Sequence, residues 1–239
     1  MSETLEQFSE AIEEAGLTPP EIIEADGELH RFSSNGNPRD DAGWYVPHDD
    51  ELPVGIFGCW RAQISRTWRA NGVSRLSPEE RAAYRDRMRV MSRMRRADDV
   101  KRKAGAQKKA VAIWHNSEPA TDDHPYLARK GVKAHGLHLC EGELVVRLAD
   151  GTATHSIQFI DADGEKRFLK GGRVTGCYYP IGVPNGTLCI VEGYATGASV
   201  HEATGHAVAV AFNAGNLLRV SRSIRERYPD IRLVICADD

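Results

Sequence analysis

Hydrophobic and polar positions alternate with a different rhythm in successive parts of the chain. Leu5, Phe8 and Ile12 recur at helical spacing and predict a short amphipathic helix, which Pro19-Pro20 closes off. Short aromatic-containing runs follow, Leu29 to Phe32, Trp44 to Val46, Gly55 to Trp60 and Arg66 to Trp68. They are separated by turn formers at Asp26-Gly27, Asn35-Gly36-Asn37-Pro38 and Asp49-Asp50. That spacing predicts a small antiparallel sheet. At Ser77-Pro78-Glu79-Glu80 the rhythm changes, because an N-cap serine, a proline at the first helical position and a capping-box glutamate start a long helix. Its narrow apolar stripe is Tyr84, Met88, Met91 and Met94, and it is expected to run to about Lys103, with a second helix over 108–116.

From residue 137 to 182 the pattern is β-rich: Leu144 to Leu148, His155 to Ile160, Lys166 to Lys170 and Cys177 to Ile181. It then alternates. Leu188 to Val191 reads as a strand, Tyr194 to Ala203 as a helix ended by Gly205, and Ala207 to Asn213 as a strand. Asn216 to Tyr228 reads as a helix and Ile231 to Cys236 as a strand. The βαβαβ order implies a parallel sheet with right-handed crossovers. The fold class expected is α+β overall, with an α/β core. Four segments are expected: a β-rich module over 1–76, a helical connector over 77–123, a mixed-sheet region over 124–186 and the parallel core over 187–239.

Charge sharpens this division. Residues 1–60 carry 2 basic and 14 acidic groups, residues 61–110 carry 16 and 5, and residues 111–239 carry 13 and 15. A block of fifty residues with net charge +11 is the electrostatic footprint of a nucleic-acid contact. Arg93, Arg95, Arg96, Lys101, Arg102 and Lys103 are its candidate DNA-binding residues; the alternative is a helix neutralised by the acidic N-terminal segment. The longest apolar runs are strand-length and the N-terminus is acidic, so neither a membrane span nor a secretory signal is expected and the chain reads as cytoplasmic. Five scattered cysteines contain no CxxC pair. Cys59, His30 and His48 do not complete a four-ligand site in the first segment, so no zinc is expected.

Ligands gather at the carboxyl ends of the strands in an open parallel sheet. Here the first such strand runs into Glu192-Gly193 and the third into Ala237-Asp238-Asp239. Carboxylates from separate strands are the hard oxygen ligands that Mg²⁺ takes, and the helix after Gly193 would point its amides at the same place. Acid at a strand end can equally be structural.

At this point the residues resemble a family. A hydrophobic strand followed by Glu-Gly, and another followed by Asp-x-Asp, is similar to the signature of the TOPRIM domain. Three runs resemble the phage- and plasmid-type DNA primases more closely: Val191-Glu-Gly-Tyr-Ala-Thr-Gly-Ala-Ser-Val-His-Glu-Ala-Thr-Gly205, Ala211-Phe-Asn-Ala-Gly-Asn-Leu217 and Lys166-Arg-Phe-Leu-Lys-Gly-Gly172. His124-Pro-Tyr-Leu-Ala-Arg-Lys-Gly131 and Ser156-Ile-Gln-Phe-Ile160 agree with them. The resemblance covers roughly residues 107–239. It implies template-directed primer synthesis, with Glu192 and Asp238 as catalytic metal ligands for Mg²⁺ or Mn²⁺. It also implies Lys166, Arg167, Lys170, Arg173, Gly193 and Asn213 as nucleotide or template contacts, Lys170 foremost. Single-stranded DNA, NTPs and a fused or separate replicative helicase are the partners it implies.

Three departures qualify it. Such primases commonly begin with a Cys/His zinc ribbon, and residues 1–76 resemble a metal-free counterpart of one. The chain ends at Asp239, one residue short of a complete Asp-x-Asp, which would make this a piece of a longer protein of low activity alone. Arg147 stands where relatives often have proline. A TOPRIM nuclease and a non-catalytic nucleic-acid or replisome-binding module are the competing readings. His124, His201, Arg129 and Lys130 are weaker candidates, and Asn216 shares the rim with Asn213 as a nucleotide contact or a helix cap.

Overall fold

The computed structural model describes residues 2–38, 40–49, 53–70 and 78–236. The chain forms two compact units, Met1–Asp99 and Val100–Asp239. Both are mixtures of helix and sheet, so the protein is α+β overall.

In the first unit, α1 (Glu3–Glu14) starts at Ser2, whose hydroxyl accepts from the Leu5 amide. An antiparallel sheet follows in the order β1 (His30–Phe32), β2 (Gly43–His48), β3 (Val54–Cys59), β4 (Ile64–Arg69). Side chains alternate between its two faces. Tyr45, Phe57 and Cys59 lie under α1, where the Phe8 ring meets Tyr45, Phe57 and Trp68 edge-on. Trp44, Val46, Val54 and Ile56 on the other face take Met91 and its neighbours Tyr84 and Met88. The apolar stripe of the long helix is therefore packing surface. Gly58 lies where the chain has no room for a side chain, since a Cβ there would stand 2.0 Å from the Ile64 carbonyl oxygen.

The long helix, α2 (Pro78–Asn116), is continuous, where the sequence predicted two pieces. The expected N-cap Ser77 lies outside the described residues. Gly105 in the gap costs a helix about 1 kcal/mol relative to alanine. Ala106 and Ala110, both buried, hold that stretch in place by packing. In the second unit the end of α2 covers one face of an antiparallel sheet of order β5 (Glu118–Pro119), β6 (His138–Cys140), β7 (Glu143–Ala149), β8 (Thr154–Ile160), β9 (Lys166–Phe168). Ala110, Ile113 and Trp114 meet Val145, Ile157 and Phe159 there. The Trp114 ring is stacked on His138 at 3.8 Å and lies under the Arg147 guanidinium, which explains that basic residue in an otherwise apolar strand. Between β5 and β6 lies α3 (Pro125–Lys130), capped by His124 and ended by Gly131 in the left-handed region.

The opposite face of this sheet, Leu144, Val146, Leu148 and Ile160, shares a core with a second sheet of order β10-β12-β11-β13. Its members are β10 (Tyr179–Ile181), β11 (Thr187–Val191), β12 (Ala207–Val210) and β13 (Arg232–Cys236). β11 is parallel to both β12 and β13, as the sequence pattern implied, while β10 runs antiparallel to β12 and joins this sheet, not the mixed one before it. α4 (Tyr194–Thr204) packs on the face of Cys189, Val191, Val208 and Val210. α5 (Ala214–Arg227) packs on the other face through Val220 and Ile224. Gly197 lets α4 approach closely, because a Cβ there would sit 2.9 Å from Val210 Cγ2 and 3.0 Å from Val191 Cγ2. Among the described residues no helix is long and apolar enough to cross a membrane.

Candidate functional site

The chain leaves β11 towards α4 on one face and leaves β12 towards α5 on the other. The carboxyl ends of these two adjacent strands therefore form a topological switch point, where connections diverge and a crevice opens. Glu192 and Gly193 follow β11, and Ala211, Phe212 and Asn213 follow β12. Glu192 is half-buried at this rim. Gly193 has an extended backbone (φ −108°, ψ 155°) open to any residue, and its missing side chain leaves the N-terminus of α4 uncovered.

The register of β9 decides which basic groups reach the rim. Lys166 pairs with Ile160 and Phe168 with Gln158, whereas Arg167 pairs with Phe159. Ile160 belongs to the core shared with the parallel sheet and Phe159 to the face covered by α2. Lys166 and Phe168 thus project towards the parallel sheet and Arg167 away from it. Lys166 Nζ stands 3.7 Å from where a Cβ on Gly193 would be. Lys166 lies on an exposed strand, yet desolvation of its ammonium by nearby protein atoms lowers its pKa, neighbouring Lys130 lowers it further, and the Glu192 carboxylate opposes them. Lys166, Lys130 and Glu192 form one electrostatic cluster beside the open helix terminus, an arrangement suited to an anionic ligand.

The remaining sequence candidates are placed differently. Arg167 pairs with Glu143 and lies 4.0 Å over the Phe159 ring. Arg173 pairs with Asp150, which also accepts from Thr152, Ala153 and His155. Burial alone would raise the Asp150 pKa, but these hydrogen bonds hold it well below the usual carboxylate range. Lys170 lies on the turn after β9, and adjacent Gly171 abuts Arg102 and Ala106 of α2, so this turn belongs to the α2 side. Asn213 holds the N-cap position of α5 without a side-chain capping bond. Asp238 lies outside the described residues.

Asn216 has a structural role that sequence reasoning missed. It is 3% exposed, and its Nδ2 donates to the carbonyls of Val174, Cys177 and Ala211 while its Oδ1 accepts from the Gly176 amide at 2.7 Å. The asparagine ties the loop before β10 to the end of β12. His124 is likewise a clasp: its Nδ1 accepts from the Tyr126 amide and its Nε2 lies 3.1 Å from the Gly142 carbonyl. His201 Nδ1 is 2.7 Å from the His206 carbonyl, and Arg129 bonds the Ala162 carbonyl.

The basic helix is a separate surface. Within the first unit, Arg85, Arg89, Arg93 and Arg96 follow one another at helical spacing and are exposed. Arg95 sits four residues after buried Met91, so it turns inward; it bonds Ser65 Oγ at 2.9 Å and lies over the Trp44 ring. Arg95 thus differs from its exposed neighbours in having protein partners. In the second unit Lys101 is exposed, while Arg102 and Lys103 are half-buried. The expected result is that Arg85, Arg93 and Arg96 replaced together by alanine flatten the plot of log affinity for single-stranded DNA against log salt by about 2, at roughly 0.7 per lost phosphate contact. Arg95→Ala should leave the slope unchanged. An unaltered slope in the triple variant would remove this face from the DNA path.

Among the described residues, three potential metal ligands gather at Glu24, Asp26 and His30, within 4.8 Å of one another. His30 is hydrogen-bonded to Asp26 at 2.7 Å and stacked on Tyr45. Cys59 is buried beside Ser34 Oγ.

No family model matches the chain, and no solved structure matches it. Two of the curated proteins to which it is similar are DNA primases. One, DNA primase TraC of Escherichia coli, is 33% identical over 249 aligned positions, covering 98% of this chain and 23% of the relative. A second Escherichia coli protein of the same name is 30% identical over 249 positions, covering 98% of this chain and 17% of the relative. The chain thus spans less than a quarter of the length of the curated relatives it matches.

Proposed function

We propose that this chain forms part of a DNA primase for the replication of a phage, plasmid or integrated element, with a TOPRIM-type nucleotidyl-transfer centre at the carboxyl edge of β11 and β12. The observation that carries this reading is the cluster of Glu192, Lys166 and the uncovered N-terminus of α4 at the switch point of a parallel sheet. Similarity to DNA primases over 98% of the chain supports it.

Mg²⁺ is commonly held by one or two carboxylates together with substrate phosphates, and Glu192 offers a half-buried carboxylate at the right edge of the sheet. The donor chemistry of Glu192 therefore fits Mg²⁺ or Mn²⁺, and Asp238, two residues beyond β13 in the sequence, is the second carboxylate that the resemblance implies. Bound there, such a cation would neutralise charge on the phosphates during in-line displacement.

The chain's own groups do the remainder. Lys166 and the amides at the start of α4 bind the triphosphate of the incoming NTP. Glu192 would hold such a cation by its charge. A primer 3′-oxygen bonds to the α-phosphorus as pyrophosphate departs, and the hydroxyl proton passes to solvent. The exposed arginines of α2 hold the template strand by its phosphates. A partner helicase is the expected supplier of that strand.

Lys166, not Lys170, should be the lysine that binds the NTP. In a protein of the relatives' length carrying this chain, Lys166→Ala should raise the KM for NTP by about tenfold, the loss of one charge-assisted hydrogen bond. Affinity for single-stranded template should stay within twofold. Equal losses in both would move Lys166 onto the template path, and a normal KM would remove it from the site.

A further inference from the structure

An aromatic pair at this same rim has no role in the chemistry above. Phe168 is the third residue of β9 and is 38% exposed, unusual for a phenylalanine between a basic strand and a turn. It shares its strand face with Lys166 two residues earlier, about 7 Å away along the strand. Its ring meets that of Phe212 edge-on, with centroids 6.1 Å apart and planes at 74°.

Phe212 is itself unusual, because its φ is +73°, a conformation that bulky L-residues avoid. Two hydrogen bonds anchor the residue before it. The Ala211 amide donates to the Val191 carbonyl at 2.8 Å, and the buried Asn216 side chain grips the Ala211 carbonyl at 2.8 Å. Backbone strain held in this way concentrates where a side chain must be presented in one orientation. Here it sets the Phe212 ring beneath Phe168, directly after the strand that lines the switch point.

We propose that Phe168, braced by Phe212, is a stacking platform for the nucleobase of the nucleotide whose phosphates lie at Lys166. The spacing fits one nucleotide: phosphate on the lysine, base on the aromatic ring two residues along the same strand face, and sugar between them. Stacking on an aromatic face accepts every base, which suits a site that must take each nucleotide in turn. This inference rests on reading the rim as a nucleotide site.

The test uses this chain and 5-iodouridine triphosphate, a photoprobe whose base cross-links to an aromatic ring stacked against it. Mass spectrometry of the irradiated protein should locate the cross-link at Phe168 or Phe212. Phe168→Ala should cut the yield by about tenfold, and Phe168→Leu should do the same, since it keeps apolar bulk and loses the π face. Phe168→Trp should retain it. A cross-link confined to other peptides, no cross-link, or a leucine variant as efficient as wild type would overturn the platform. A cross-link at Phe168 in a protein that makes no primers would keep the platform and discard the primase reading. Primer synthesis with the base cross-linked elsewhere would do the reverse.

Discussion

Asn216→Ala should destabilise the second unit by roughly 3–5 kcal/mol and leave the first unit untouched. The substitution removes one acceptor and one donor group that together serve Gly176, Val174, Cys177 and Ala211. Each buried polar group left without a partner costs about 1–3 kcal/mol. The Val174 carbonyl also accepts from the Cys177 amide, so the main losses fall on the Gly176 amide and on the Cys177 and Ala211 carbonyls. A loss of that size is a large fraction of the ~5–15 kcal/mol that stabilises a typical domain. Asn216→Asp should be at least as damaging, because a carboxylate would face three carbonyl oxygens where an amide now donates. Hydrogen exchange resolves the two units: amides of β11 and β12 should exchange more than a hundredfold faster, with those of β2 and β3 unchanged. Acceleration of less than tenfold in Asn216→Ala would mean that the loop before β10 is secured by other contacts.

Much of the architecture was legible because local signals and burial agree. The apolar runs at Leu188 to Val191 and Ala207 to Val210 became central strands, and Gly205 ends α4 in the left-handed conformation. The stripe of Tyr84, Met88 and Met91 became the contact with the first sheet. Glu192 was legible as an acid at a strand end, which is a topological argument.

What sequence could not supply was register and long-range pairing. Lys166 and Lys170 look equivalent in a basic run, and only the pairing of Lys166 with Ile160, with the chain turning after Phe168, separates them. Arg167 and Arg173 have acidic partners 24 and 23 residues earlier in the chain, Glu143 and Asp150, which no local pattern announces. Arg95 could have been read from its spacing to Met91, since four residues put it on the packed stripe. Asn216 gives no local signal at all, because its partners lie up to 42 residues away. The continuity of α2 through Gly105 likewise depends on tertiary packing of Ala106 and Ala110 overriding propensity.

Glu192→Gln should abolish primer synthesis without disturbing the fold. The substitution keeps the size and shape of a half-buried side chain and removes only its negative charge. Removing a single preorganised electrostatic group from a reacting centre typically costs a hundredfold to a thousandfold in rate, about 2.7–4 kcal/mol. Glu192 now opposes the depression of the Lys166 pKa, so its neutralisation should lower that pKa further. The decisive measurement is incorporation of labelled ribonucleotide into primers on single-stranded DNA with Mg²⁺. It compares a protein of the relatives' length carrying this chain with its Glu192→Gln variant. Template-dependent primers are expected from the first and at least a hundredfold fewer from the second, with hydrogen-exchange protection of β11 equal in both. Primer synthesis by the Glu192→Gln variant within tenfold of the parent protein would contradict the metal role of Glu192.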